Sequence, residues 1–297
     1  MLRQEGAGRV FHIICNPISG QGRCRAAIKT IEPLLRDIPH TFHETRYRGH
    51  AREIARRLTE SSGQQDIAAM GGDGTLNEVL NGLADPARVR LGVIPCGSGN
   101  DFASAAGISL NPPEALRLML HGDARLTDFF ECSGIRGINA VGTGIDVEIL
   151  RRRQRMKLLK GSTAYLAALV STVITYRPCR FEAMSTMRTD AHRALIACVG
   201  NGRSIGGGIL LCPNASLDDG LLDLTIIEGM SKAAMPPAFI KLIRGRVNDM
   251  PGAYFSRHSS LKILSDPPLP VQIDGEIHEG LPFDVRVVHG ALRVFRP

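Results

Sequence analysis

Short apolar runs and amphipathic stretches alternate along the first 130 residues. Residues 9–15 (RVFHIIC) form a compact apolar run and read as a buried strand. A glycine-containing break at 16–22 is followed by a helical stretch over 23–35. Residues 40–45 read as a second strand, and 50–60 as a helix charged on one side. The run at 66–70 (DIAAM) is a strand ending at a glycine pair. Residues 75–83 place Leu76, Val79, Leu80 and Leu83 on one helical stripe. A further strand at 90–94 (RLGVI) is stopped by Pro95.

After about residue 130 the pattern changes. Apolar and polar positions alternate with period two at 222–227, 271–277 and 283–287, separated by Gly, Pro and Asp turns. One helical segment, about 147–176, interrupts them. The expectation is an N-terminal open α/β domain over 1–130, with a mostly parallel sheet, and a C-terminal, mainly antiparallel β-sandwich domain over 131–297.

Composition narrows this little: 43% hydrophobic and 22% charged residues are ordinary for a globular chain. The net charge of +7 favours phosphates, nucleic acid or an anionic membrane face. No nucleic-acid-binding module is recognisable, so nucleic acid is not an expected partner. The seven cysteines include no C-x-x-C pair, which points to reduced thiols and a cytoplasmic setting. The first eight residues lack a signal-peptide core, and no apolar run reaches transmembrane length.

Three glycine-rich loops follow strands of the first domain: 16–22 (NPISGQG), 71–77 (GGDGTLN) and 95–101 (PCGSGND). Ligands of open α/β sheets collect beyond the carboxyl ends of strands. Backbone N–H groups at helix starts there favour phosphate, and Ser19, Thr75 and Ser98 add hydroxyl donors. Each loop alone is compatible with a simple tight turn. Neither a Walker A sequence nor a G-x-G-x-x-G is present, so this reading stops at a phosphate or nucleotide site.

The run Gly71-Gly72-Asp73-Gly74-Thr75-Leu76-Asn77-Glu78, continued through Leu83, resembles the signature of the diacylglycerol kinase catalytic domain, a family that includes bacterial lipid kinases and sphingosine and ceramide kinases. The loops at Asn16 to Gly20 and Gly97 to Ala103 resemble further family blocks. So do Gly142-x-Gly144-x-Asp146, the 200–208 segment, 213–223 and Asp274-Gly275-Glu276. The resemblance implies ATP bound between the domains by Asn16, Pro17, Ile18, Ser19, Gly20, Thr45, Gly71, Gly72, Asp73, Gly74, Thr75, Leu76, Asn77 and Ser98. Ser98 stands where most members have Thr. Gln21 stands where many bacterial members have Lys, leaving Arg23 and Arg25 as neighbouring cations.

Phosphoryl transfer needs charge neutralisation and an acceptor for the hydroxyl proton. Asp274 and Glu276 are two apart; they share a face in a regular strand, and remain close if Gly275 turns. Such a pair suits a general base, though an exposed acidic turn has the same spacing. The resemblance implies that this block supplies the base, without choosing between them. Asp73 and Asp101 sit in phosphate loops, where Mg²⁺ would relieve repulsion, and are catalytic candidates. The resemblance adds Asp128 to the acidic network. It also implies a second Mg²⁺ on Asp219 and the carbonyls of Ser216 and Leu221, where a plain Asp-Asp-Gly turn is the alternative.

The basic run 151–160, followed by an apolar stretch at 164–174, reads either as a solvated helix face beside a core helix or as a peripheral membrane contact. The expected function is an ATP-dependent lipid kinase acting on diacylglycerol at a membrane surface. A homodimer is compatible with the sequence. A soluble kinase of the NAD kinase type and a non-catalytic lipid-binding regulator are the rivals.

Overall fold

The computed structural model describes residues 10–60, 63–155, 172, 175–185 and 188–297. The chain divides into two compact units, Met1–Thr127 with Gly290–Pro297, and Asp128–His289. The sequence expectation assigned everything after 130 to the second domain. The last eight residues instead join the first unit, because Arg293 and Val294 extend its sheet beside Arg90 and Leu91.

The first unit is an α/β layer structure. Strands β1 (Phe11–Cys15), β2 (His40–Glu44), β3 (Gln65–Gly71) and β4 (Val89–Pro95) run parallel in the order β4-β3-β1-β2. Helices α1 (Arg23–Ile31), α2 (His50–Thr59), α3 (Asp73–Gly82), α4 (Asp101–Ala105) and α5 (Pro112–His121) intervene or follow. Their apolar stripes bury Ile31, Leu116 and Met119 with Ile13, Met70 and Ile94 of the strands. Periodicity read most of these elements; α4 and α5 went unread.

The second unit is built largely of antiparallel pairs. Its strands are β5 (Ala124–Cys132, which begins in the first unit), β6 (Ile135–Gly137), β7 (Ala140–Gly144), β8 (Cys179–Met184), β9 (Thr189–Gly200), β10 (Ser204–Ile205), β11 (Ile209–Leu210), β12 (Leu222–Glu228), β13 (Ala253–His258), β14 (Ser260–Leu264), β15 (Val271–Ile273), β16 (Glu276–His278) and β17 (Phe283–Phe295, which ends in the first unit). Strand β9 pairs antiparallel with β7, β8 and β12. Ala197 and Val199 face one core while Ile196 and Cys198 face another. From Ala194 to Gly200 β9 is buried on both sides and reads as a continuous apolar run rather than an alternating one.

Two expectations change here. The span 271–277 is not one strand: β15 and β16 pair Ile273 with Glu276 across a two-residue turn. The second unit also carries two described helices rather than one, α6 (Ile145–Arg155) and α7 (Met235–Ile243). The expected helix continuing to 176 and the proposed contact at 156–160 and 164–174 lie largely outside the described residues.

Candidate active site

Strand β1 has β2 on one side and β3 on the other, so the strand order reverses at β1. The carboxyl ends of β1, β3 and β4 open into the three glycine loops, where such folds collect ligands. The loops lock together through backbone. The amides of Cys96 and Gly97 donate to Gly71 O at 2.7 and 3.2 Å. A Cβ on Gly97 would lie 2.4 Å from Gly72 Cα, so the second and third loops meet glycine to glycine. Gly20 (φ +59°) packs so closely that a Cβ would lie 2.0 Å from Cys96 O. Arg23 donates from Nε to Gly20 O (3.1 Å) and from Nη2 to Gly97 O (2.7 Å), placing a cation between the first and third loops. Arg25 is exposed on α1.

The carboxylates of these loops are partly structural. Asp73 accepts amide hydrogens from Asn100 (2.7 Å) and Phe102 (3.2 Å), tying the start of α3 to the start of α4. Burial, and then the neighbouring Asp101 charge, push its carboxyl above the ordinary range. Glu78, which carried no assigned role in the sequence reading, accepts from the amides of Gly49 (2.9 Å) and Ala51 (3.2 Å) and so satisfies the first turn of α2. The Thr45 amide donates to Cys15 O at 2.9 Å.

Several expected nucleotide residues offer little side chain to a ligand. Pro17 and Leu76 are buried, and the Leu76 amide is used within the turn, on Gly72 O. Thr75 is buried and accepts from Asn16 Nδ2 at 3.3 Å. Ile18 and Ser98 are exposed, and Ser19 is half-buried. The N-cap of α3 is Gly72, which has no side chain to cap the helix. No side chain caps its first amides, as suits a phosphate site, although the Asp73 carboxylate lies in the same turn.

In the second unit Asp274 and Gly275 (φ +46° and +85°) form the turn of the β15–β16 hairpin, the conformation that Asp-Gly favours between strands. The Asp274 carboxylate accepts three amides, those of Ile138 (2.8 Å), Asn139 (2.9 Å) and Ala140 (3.0 Å). Three such bonds fill three of the roughly four acceptor positions of a carboxylate and fix its orientation. Glu276 follows on β16 and is half-buried.

An apolar cavity of about 80 Å³ lies in the same unit. Ile149, Leu195, Ile209, Met235, Phe239 and Met250 contribute to its wall. Among the described residues lining it, Asp146 is the one with an ionisable side chain. Gly142 makes room for that carboxyl: a Cβ there would lie 2.2 Å from Asp146 Oδ2. Burial pushes Asp146 up from 3.8 to about 7, with the Val147 amide opposing the shift. The unfolded chain therefore ionises first, and stability falls as pH rises from about 4 to about 7, then levels off. The loss is on the order of 4 kcal/mol. Denaturation at pH 5 and pH 8 should show about 2–3 kcal/mol of this drop in the wild type and lose it in Asp146→Asn; equal drops would refute the assignment.

Residues 10–132 match the diacylglycerol kinase catalytic domain, and residues 139–296 match the YegS C-terminal NAD kinase beta sandwich-like domain. The chain belongs to the diacylglycerol kinase family. It is 29% identical over 307 residues to the diacylglycerol kinase of Mycobacterium tuberculosis, covering 100% of this chain and 97% of that one. It is 32% identical over 294 residues to the protein named "Probable lipid kinase YegS" of Salmonella arizonae, covering 94% of each. A crystal structure of a diacylglycerol kinase from Bacillus anthracis has the same fold, with a TM-score of 0.75 at 24% identity over 97% of each chain. The protein is thus a lipid kinase, and kinase membership implies ATP as phosphate donor. Among the described residues no helix is long and apolar enough to cross a membrane.

Asp128 of this kinase belongs with the 216–221 turn. It is fully buried and accepts from the Gly220 amide (2.7 Å) and from His289 Nδ1 (2.9 Å), while its own amide donates to Leu217 O (2.6 Å). The turn was the expected seat of a second Mg²⁺. Its Asp219 carboxylate instead pairs with the Arg257 guanidinium and accepts from the Leu221 amide at 3.1 Å. Arg257 also lies 3.4 Å from Asp223. A hard cation takes carboxylate and carbonyl oxygens, so one at this turn would compete with the guanidinium already on Asp219. Thermal melts without nucleotide should therefore be insensitive to Mg²⁺ in the wild type. Arg257→Met should melt lower in EDTA and recover with Mg²⁺. An equal rise of the wild type on adding Mg²⁺ would refute the guanidinium's role.

Proposed function

We propose that the protein transfers the γ-phosphate of ATP to the hydroxyl of diacylglycerol, giving phosphatidic acid. The observation that carries the acceptor class is the apolar cavity with one buried carboxyl, Asp146, in its wall. A carboxyl whose ionisation is disfavoured by burial in an apolar wall suits a neutral, hydroxyl-bearing lipid. The free volume is small for an acyl chain, but Met230, Met235 and Met250 line it, and unbranched thioether side chains repack readily.

In this reading the glycine loops and the start of α3 hold the ATP phosphates, Arg23 supports the loop positions, and Mg²⁺ arrives as part of the MgATP substrate. Glu276 takes the hydroxyl proton. Asp274, which accepts three backbone amides, positions the hairpin that carries Glu276.

The test supplies labelled ATP and Mg²⁺ with micelles of diacylglycerol, monoacylglycerol, ceramide, sphingosine or phosphatidylglycerol, and soluble NAD in parallel. Labelled phosphatidic acid as the main product is expected. Label on NAD alone, or on sphingosine in preference to diacylglycerol, would overturn the proposal, as would ATP binding with no transfer to any acceptor.

A further inference from the structure

Helix α7 is apolar on both sides. Its inner residues Met235, Ala238, Phe239 and Leu242 line the cavity. Its outer side shows Pro236, Pro237, Ile240 and Ile243 to solvent, with Ile240 50% and Ile243 56% exposed. The prolines sit in the first turn, where no intrahelical amide is needed. Positions 236, 240 and 243 recur at helical spacing, so these side chains form one stripe. A surface helix of a globular protein keeps its outer side polar; one that is apolar all round is covered by protein or lipid.

The charges around the stripe choose the cover. Residues 230–250 contain four cations, Lys232, Lys241, Arg244 and Arg246, against one carboxylate, Asp249. Asp249 is committed to Arg246. Lys232 and Arg244 are exposed, one before the helix and one at its end. Cations flanking an apolar helical stripe fit an anionic bilayer, with the apolar side chains in the acyl boundary and the cations among the headgroups. The same helix walls the cavity from within, so docking would bring the cavity to the membrane that holds the lipid.

We infer that the outer side of α7 is the docking surface of this kinase on an anionic membrane. The inference rests on reading the cavity as the lipid's own, but its test separates the two. Vesicles of phosphatidylcholine alone, or with phosphatidylglycerol, are sedimented with the full-length protein in the absence of ATP. Turnover is measured separately on a short-chain diacylglycerol kept monomeric in solution, which reads the cavity without a bilayer.

The wild type should sediment with phosphatidylglycerol-containing vesicles and be released by salt. The double variant Ile240→Glu/Ile243→Glu should lose about tenfold or more of that binding and keep its turnover of the monomeric substrate. Lys232→Gln/Arg244→Gln, which alters only exposed polar residues, should weaken binding at low salt. Wild-type binding that both double variants retain would overturn the inference, as would no vesicle binding at all. Conversion of a dimer to a monomer by Ile240→Glu/Ile243→Glu would assign the stripe to a second copy of the chain and overturn it as well. Loss of turnover on the monomeric lipid by the wild type itself would count against the cavity reading and leave the docking result standing.

Discussion

Glu276→Gln is expected to keep the fold and melting temperature of the wild type while kcat falls by roughly 10²–10⁴, the usual worth of a general base. Asp274→Asn should behave differently. Its carboxylate receives three backbone amides from 138–140, and an amide side chain would turn an N–H toward at least one of them. Hydrogen bonds to a charged group contribute about 1.5–3 kcal/mol each, so stability should drop by about that amount or more. Activity should fall with it, as the hairpin and the segment leading to β7 loosen. Calorimetric melts and steady-state kinetics on both variants decide between the carboxylates. If Asp274→Asn melted like the wild type yet lost kcat, and Glu276→Gln stayed active, the roles would be reversed.

The second large effect concerns two glycines of similar appearance in neighbouring loops. Gly97→Ala would force a methyl to within 2.4 Å of Gly72 Cα and 2.8 Å of Asn100 Oδ1. Backbone cannot give way cheaply there, and overpacking of this kind costs about 1–3 kcal/mol. The second and third loops would separate, and ATP affinity measured by calorimetry should fall about tenfold or more, since about 1.4 kcal/mol is tenfold. Gly74→Ala meets nothing within 4 Å, and Gly74 sits in helix α3. It should leave the melting temperature unchanged or raise it, because alanine restricts the unfolded chain and favours the helix. Equal destabilisation by both substitutions would refute the glycine-to-glycine contact.

The first unit was the more legible half in sequence. Its strands are short apolar runs and its helices carry stripes, and each signal is complete within a dozen residues. The second unit was read incompletely. The second half of strand β9 is buried on both sides and shows no alternation. Helix α7 was missed because two prolines sit in its first turn and its outer side is not polar. At 271–277 the residues Asp274-Gly275 are themselves a hairpin signal, yet period-two alternation on either side allowed a single strand as well.

Sequence by itself determined the glycine loops, the alternation of strands and helices along the first unit and the family resemblance. These depend on residue identity and local spacing, which the chain states directly. Only the tertiary structure decided what each carboxylate does. Asp73 caps a helix 27 residues away, and Asp274 organises amides up to 136 residues away. Asp219 is neutralised by an arginine 38 positions on. Asp146 enters an apolar cavity wall assembled from several elements. A carboxylate serves as base, cap, ion-pair partner or buried acid according to its neighbours, and those neighbours are brought to it by packing rather than by position in the chain.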